Sequence, residues 1–249
     1  MPLLVTAIFL VLLYGFLHLL PFIIAPIRMR SRSRHPVEPI FTPDDDPLPT
    51  TAVRIVAQVQ KLGFEDRGTW RHTGSADAVG QVVLLEHPRA LDSARVLVVT
   101  AYGRTSVCLM FRTRFEDGTE AAAANNRVTA GFPVLPGVTA AWLPEVQDAA
   151  ALYRVHEQLR DAIGGARRRV GIGHDPAHFL ETEVARTHAN WVATGFYALD
   201  KDRKVLRPTW KGAVLVTWKL IWPVKPLFRA RRRRATRRLL DRIGIAVGE

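Results

Sequence analysis

A single cysteine, Cys108, stands among the 249 residues. An intrachain disulfide is therefore excluded, and so is a zinc site built from several thiolates. No Gly-rich phosphate loop is present: GGARRRVGIG (164–173) has the glycines but follows a helical pattern, whereas a dinucleotide fingerprint follows a strand. There is no nucleophilic Ser elbow, no internal repeat and no carboxylate pair at catalytic spacing, so the residues point away from an enzyme and imply no cofactor. A charge excess is also missing from most of the chain. Residues 1–46 carry four Arg against four Asp/Glu, and residues 47–202 carry 17 Lys/Arg against 17 Asp/Glu. The formal +12 belongs to residues 203–249, with 14 basic and two acidic side chains. That is the pattern of one cationic appendage, not of a basic groove spread over a fold.

Charge is also absent from Leu3 to Ile27, LLVTAIFLVLLYGFLHLLPFIIAPI. As a helix this run is roughly 37 Å long, enough for a hydrocarbon core of about 30 Å even with a bend at Pro21. A cleaved signal peptide would show a basic start, a shorter apolar core and a small-residue cleavage site. The run lacks all three and is expected to be an uncleaved transmembrane anchor (residues 1–27), with His18 near its interface. Arg28, Arg30, Arg32 and Arg34 follow at once, so the positive-inside rule puts everything after the span in the cytoplasm of a single-pass cell-membrane protein. Residues 28–49, basic and Pro-rich, are expected to be a semi-rigid linker.

An α+β domain is expected over residues 50–207. TTAVRIVAQVQKLGF reads as a Thr-capped helix ending at Gly63. GTWRHTG, QVVLLEHP, ARVLVVTAY, SVCLMFRTRFEDG and VTAAWLP read as strands of an antiparallel meander, with Val107, Leu109, Phe111, Thr113 and Phe115 on one face. EVQDAAALYRVHEQLRDAIGG reads as a helix with Leu152, His156, Leu159 and Ile163 on one side. Another helix is expected from the Asp175 cap and Pro176 to Gly195.

Several polar clusters could in principle carry chemistry. His174, Asp175, His178, Glu181, Glu183 and His188 form the densest one and define an enzyme alternative, but Glu181 and His188 stand about 10.5 Å apart along a helix, too far for one ion. Asp175 reads as a helix cap. His87 beside Glu86, and His156 beside Glu157, point different ways on their own elements. His156 reads as a core residue, Cys108 as an inert sheet residue, and Asn125-Asn126 as a turn.

The segment after Arg207 carries the strongest functional signal. Gly212–Trp222 is too short to span a bilayer, and a crossing would put the arginines outside. It is expected to lie on the membrane as an interfacial helix with a polybasic tail, over residues 208–249. Trp210, Trp218 and Trp222 are the interfacial anchors, and Lys211 and Lys219 are placed to snorkel. Arg229, Arg231, Arg232, Arg233, Arg234, Arg237 and Arg238 meet anionic lipid headgroups at about 1 kcal/mol each. The reading is a membrane-anchored binding or scaffold domain held at both ends, with lipid headgroups and a membrane-associated protein as partners.

Two resemblances accompany these readings. Phe196 to Ala213, FYALDKDRKVLRPTWKGA, resembles the wing of a winged-helix domain, which implies a membrane-tethered nucleic-acid-binding regulator as the alternative; the anchor argues against nucleic acid. The N-terminal anchor, LGF after the first helix, F-x-D-G and RPTWKGA…TW…WPV before a basic tail resemble uncharacterised bacterial single-pass membrane-anchored proteins over most of the chain after Thr50. That resemblance implies an architecture and no activity.

Overall fold

Between Glu65 and Phe115 a continuous buried run, Val82–Leu85, and an alternating one ending at Phe115 build the centre of the fold. The computed structural model describes residues 5, 20–31, 33–37, 40–75, 78–101, 103–126, 133–221 and 224–245. The protein is α+β with a mixed sheet. Strands β3 (Glu65–Ser75), β4 (Ala78–His87), β5 (Asp92–Ala101) and β6 (Arg104–Phe115) pair as the expected antiparallel meander. On β6, Leu109, Phe111, Thr113 and Phe115 are buried and alternate with partly exposed neighbours. β7 (Glu120–Ala124) continues the sheet antiparallel to β6, but β8 (Val138–Trp142) runs parallel to β7, which corrects the pure meander. The connection after Asn125 is long enough to carry the chain back to the start of β7, as parallel pairing requires. β9 (Arg169–Val170) pairs with the end of β6.

The expected linker is a second correction. His35–Pro36 form β1 and Phe41–Pro43 form β2, and each lies at the edge of a sheet. Proline lacks an amide donor and is tolerated there. β2 pairs with β3, buries Phe41, and leads into Asp44, which accepts from Arg71 at 2.8 Å and Gln81 at 2.9 Å. The segment is therefore built into the domain and does not act as a spacer. β1 joins β11 (Val205–Pro208) and β10 (Tyr197–Asp200) in a separate antiparallel sheet of order β1-β11-β10.

Helices cover both faces of the large sheet. α2 (Thr50–Gln60) and α3 (Ala149–Gly164) bury Val59, Leu152 and Leu159 against Val83, Val96 and Phe111. Pro49, not a Thr side chain, occupies the N-cap of α2, whereas Asp148 caps α3 by accepting from Ala151 N at 2.7 Å. On the opposite face, Leu180 of α4 (Pro176–Ala193) packs with Phe41, Val82, Leu84 and Ile172. α5 (Trp210–Leu220) follows the β10–β11 hairpin, and α6 (Val224–Arg242) closes the described chain. Leu240 and Ile245 are buried in the same core cluster as α2 and α3, so the core extends past Arg207.

Among the described residues no helix is long and apolar enough to cross a membrane. Most of the expected anchor, including His18, lies outside the described residues. Its last part is helical and belongs to α1, described over residues 20–31.

Candidate functional site

The Trp- and Arg-rich segment folds as two helices with different exposed faces. Thr209 caps α5 by accepting from Gly212 N at 3.1 Å, and the helix buries Ala213 and Thr217. Glycine is required at position 212: a Cβ there would overlap the Phe196 carbonyl, because α5 presses directly on the start of the hairpin. Trp210 and Trp218 stay 51% and 42% exposed, so two large apolar rings face outward from a short helix. Both touch α1. The Trp218 indole donates to the Phe22 carbonyl at 2.9 Å and stands edge-on to the Phe22 ring, and the Arg30 guanidinium lies 4.8 Å over the Trp210 ring. Lys211 donates to the Thr194 carbonyl at 2.7 Å and lies over Phe196. Lys219 is placed otherwise than expected: it is buried, its ammonium 5.1 Å over the Phe228 ring, and burial followed by Arg232 pushes its pKa down. Trp222 lies outside the described residues.

α6 has two sides. Thr236 and Leu240 are buried, with Arg232, Leu239 and Ile243 partly so; Arg232 lies 4.4 Å over the Trp142 ring, and Trp142 N donates to the Thr236 hydroxyl at 3.2 Å. Arg231, Arg233, Arg234, Arg237, Arg238 and Arg242 are exposed. With about 3.6 residues per turn, Arg231, Arg234, Arg237, Arg238 and Arg242 fall on the half of the helix turned away from Thr236, and Arg233 lies toward the flank. The expected tail is thus a docked helix with a cationic outer face, and of the expected tail arginines Arg232 turns inward and Arg229 is half-buried.

No protein-family model, curated protein or solved structure matches this chain.

The 174–188 cluster is split among three tasks. Asp175 accepts from His178 N at 3.0 Å and caps α4, and His178 lies on the exposed side near Thr182. Glu183 points to the sheet, where Arg95 donates to it at 2.7 Å and Arg112 and Arg114 also bond to it. Arg112 and Arg186 hold Glu120 in the same layer, at 2.6 and 2.5 Å. Burial alone would raise the Glu183 pKa; Arg95, Arg112 and Arg114 outweigh it and hold the carboxyl at about 2. Among the described residues no group of three His, Cys, Asp or Glu is arranged to hold a metal ion.

His188 sits buried beside His35 and Trp191, with Tyr197 stacked on Trp191. Burial, then the charges of His35 and His72, lower its pKa to about 4. A folded-state value below the ordinary 6.5 means that the unfolded chain takes up the proton first. Stability from neutral His188 is complete above pH 6.5 and is lost as pH falls toward 4. We expect His188→Phe to flatten acid destabilisation between pH 6.5 and 4, a difference on the order of 2–3 kcal/mol in denaturant unfolding at several pH values. An unchanged pH slope would refute the assignment.

The other candidates serve the fold. His156 is wholly buried; the Thr113 hydroxyl donates to Asp92 at 2.5 Å, so His156 Nε2, at 2.9 Å, is the donor to Thr113. His87 Nδ1 accepts from the amides of Arg89 and Ala90, and Glu86 accepts from Ile172 N at 2.6 Å. Burial pushes the Cys108 thiol up to about 11. Asn125 and Asn126 do more than turn the chain: their Oδ1 atoms accept from Leu109 N at 2.8 Å and from the Trp142 indole at 2.5 Å.

Proposed function

We propose that this chain is a membrane-anchored binding or scaffold domain on the cytoplasmic face of the cell membrane. In this reading the apolar N-terminal run anchors it, and α5 with the outer face of α6 forms a second attachment to anionic headgroups. The contact of Trp210 and Trp218 with α1 supports it most, because it joins the outward-facing tryptophans to the end of the apolar run. Indole rings favour the headgroup level, and a one-sided row of arginines suits an anionic surface. The neutral body of the chain speaks for lipid and against nucleic acid as the partner. The hairpin at 196–213 is held in a three-stranded sheet by β1.

The test is hydrogen exchange over residues 224–242 in the full chain, in nanodiscs of anionic or zwitterionic lipid at low and high salt. Exchange is expected to be slower in anionic discs. High salt, which shortens the screening length to about 3 Å at 1 M, should erase the difference. Replacing Arg233, Arg234, Arg237 and Arg238 by Gln should erase it too. Equal exchange in both lipids at low salt would sink the proposal.

A further inference from the structure

We infer that the groove between the β10–β11 hairpin, α1 and α5 binds the phosphate of an anionic lipid headgroup; this rests on the attachment proposed above. The groove encloses about 600 Å³ and brings together Arg30, Arg207 and Lys211 with a single carboxylate, Asp200. Its volume lies within the range of about 300–1,000 Å³ typical of small-molecule sites. Arg207 already holds Asp200 at 2.8 Å, and its Nε has no hydrogen-bond partner among the described residues. Lys211 directs one ammonium proton to the Thr194 carbonyl and keeps further donors. The three cations and one carboxylate leave a net positive charge that an anion would balance.

The other side of the groove is apolar. Leu199 is 44% exposed and Trp210 is 51% exposed, and both line it. A bare ion gains nothing from such a wall, whereas the glycerol and first methylenes of a lipid would cover it. Position selects the same ligand. Arg30 follows the last residue of the apolar run, Ile27, by three residues, about 4.5 Å along the helix axis. That height falls within the headgroup region, which adds roughly 5–7 Å on each side of the hydrocarbon core. Arg30 is fixed there by its stacking on Trp210, so the groove is formed jointly by the two attachment segments.

The experiment is native mass spectrometry of the full chain released from nanodiscs of phosphatidylcholine with a minor share of phosphatidylglycerol. Wild type is expected to retain phosphatidylglycerol in preference to phosphatidylcholine. R207Q/K211Q should lower that retention at least tenfold, R207K/K211R should keep it, and R54Q/R104Q, two exposed positions outside both attachment segments, should leave it unchanged. Glycerol 3-phosphate in excess separates the two sources of phosphate. Retention that it does not displace assigns the groove to lipid. A glycerol 3-phosphate adduct formed in place of the lipid, and lost in R207Q/K211Q, would overturn the lipid assignment in favour of a soluble phosphate. If R207Q/K211Q retains the lipid as wild type does and R237Q/R238Q on the α6 face loses it, the groove assignment fails and surface attachment stands. If wild type shows no preference, the groove assignment also fails; salt-sensitive exchange in α6 would then mark that failure as separate from the attachment.

Discussion

Glu183→Ala is expected to remove about 3–5 kcal/mol of folding stability, the cost of leaving a buried charge without its partner. Glu183 is the shared acceptor of Arg95, Arg112 and Arg114, and Arg95, with a side chain only 9% exposed, has no other carboxylate bonded to it among the described residues. Arg112 keeps Glu120, so Arg95 bears most of the loss. Denaturant unfolding of the full chain in mild detergent, followed by tryptophan emission, measures the shift in midpoint. The double variant E183A/R95M should recover much of the loss, because a well-packed apolar side chain replaces a buried pair at little cost. If E183A alone unfolds at the wild-type midpoint, this layer contributes nothing to stability.

Asp92→Ala should have an effect of the same order, about 3–5 kcal/mol, through different groups. Asp92 is wholly buried and accepts from the Thr113 hydroxyl at 2.5 Å, the Tyr153 hydroxyl at 2.9 Å and Arg160 Nη1 at 2.5 Å. Burial alone would raise its pKa; His156, Thr113 and Arg160 outweigh that and hold it at about 2. Arg160 retains Asp161 at 2.8 Å, whereas Thr113 and Tyr153 are left with no carboxylate. Since the folded value lies below the ordinary 3.8, the stabilisation is complete above about pH 4 and is lost as pH falls toward 2. D92N, which keeps the shape, should lose this acid-dependent part and leave the slope between pH 6.5 and 4 to His188. A D92A protein with wild-type stability at neutral pH would contradict this.

The core-facing half of this fold was legible because its periods are plain. Alternation placed Leu109, Phe111, Thr113 and Phe115 on one face, and helical spacing grouped Leu152, His156 and Leu159. The other face was missed. Arg112 and Arg114 interleave with those apolar residues, as solvent-facing arginines also would, and only α4 laid across the sheet gives them Glu183. The signal available was RTRF itself: alternate arginines on a strand long enough to be covered on both sides. β1 and β2 were hidden by proline, which reads as linker until an edge position accommodates it. The parallel β7–β8 pair depends on where a long connection returns, and no local spacing encodes that. In the candidate site the exposed tryptophans and arginines were readable, but the inward turn of Lys219 and Arg232 was not, because both side chains lie over aromatic rings distant in sequence or one turn beyond the helix break.

The central claim, that α5 sits at the headgroup level beside the apolar run, is tested most directly by tryptophan quenching of the full chain in nanodiscs of brominated lipids. The account predicts stronger quenching when bromine lies near the acyl carbonyls than when it lies near the chain ends, and a sharp fall in that quenching in W210F/W218F. Quenching that is the same with and without these two rings would contradict it.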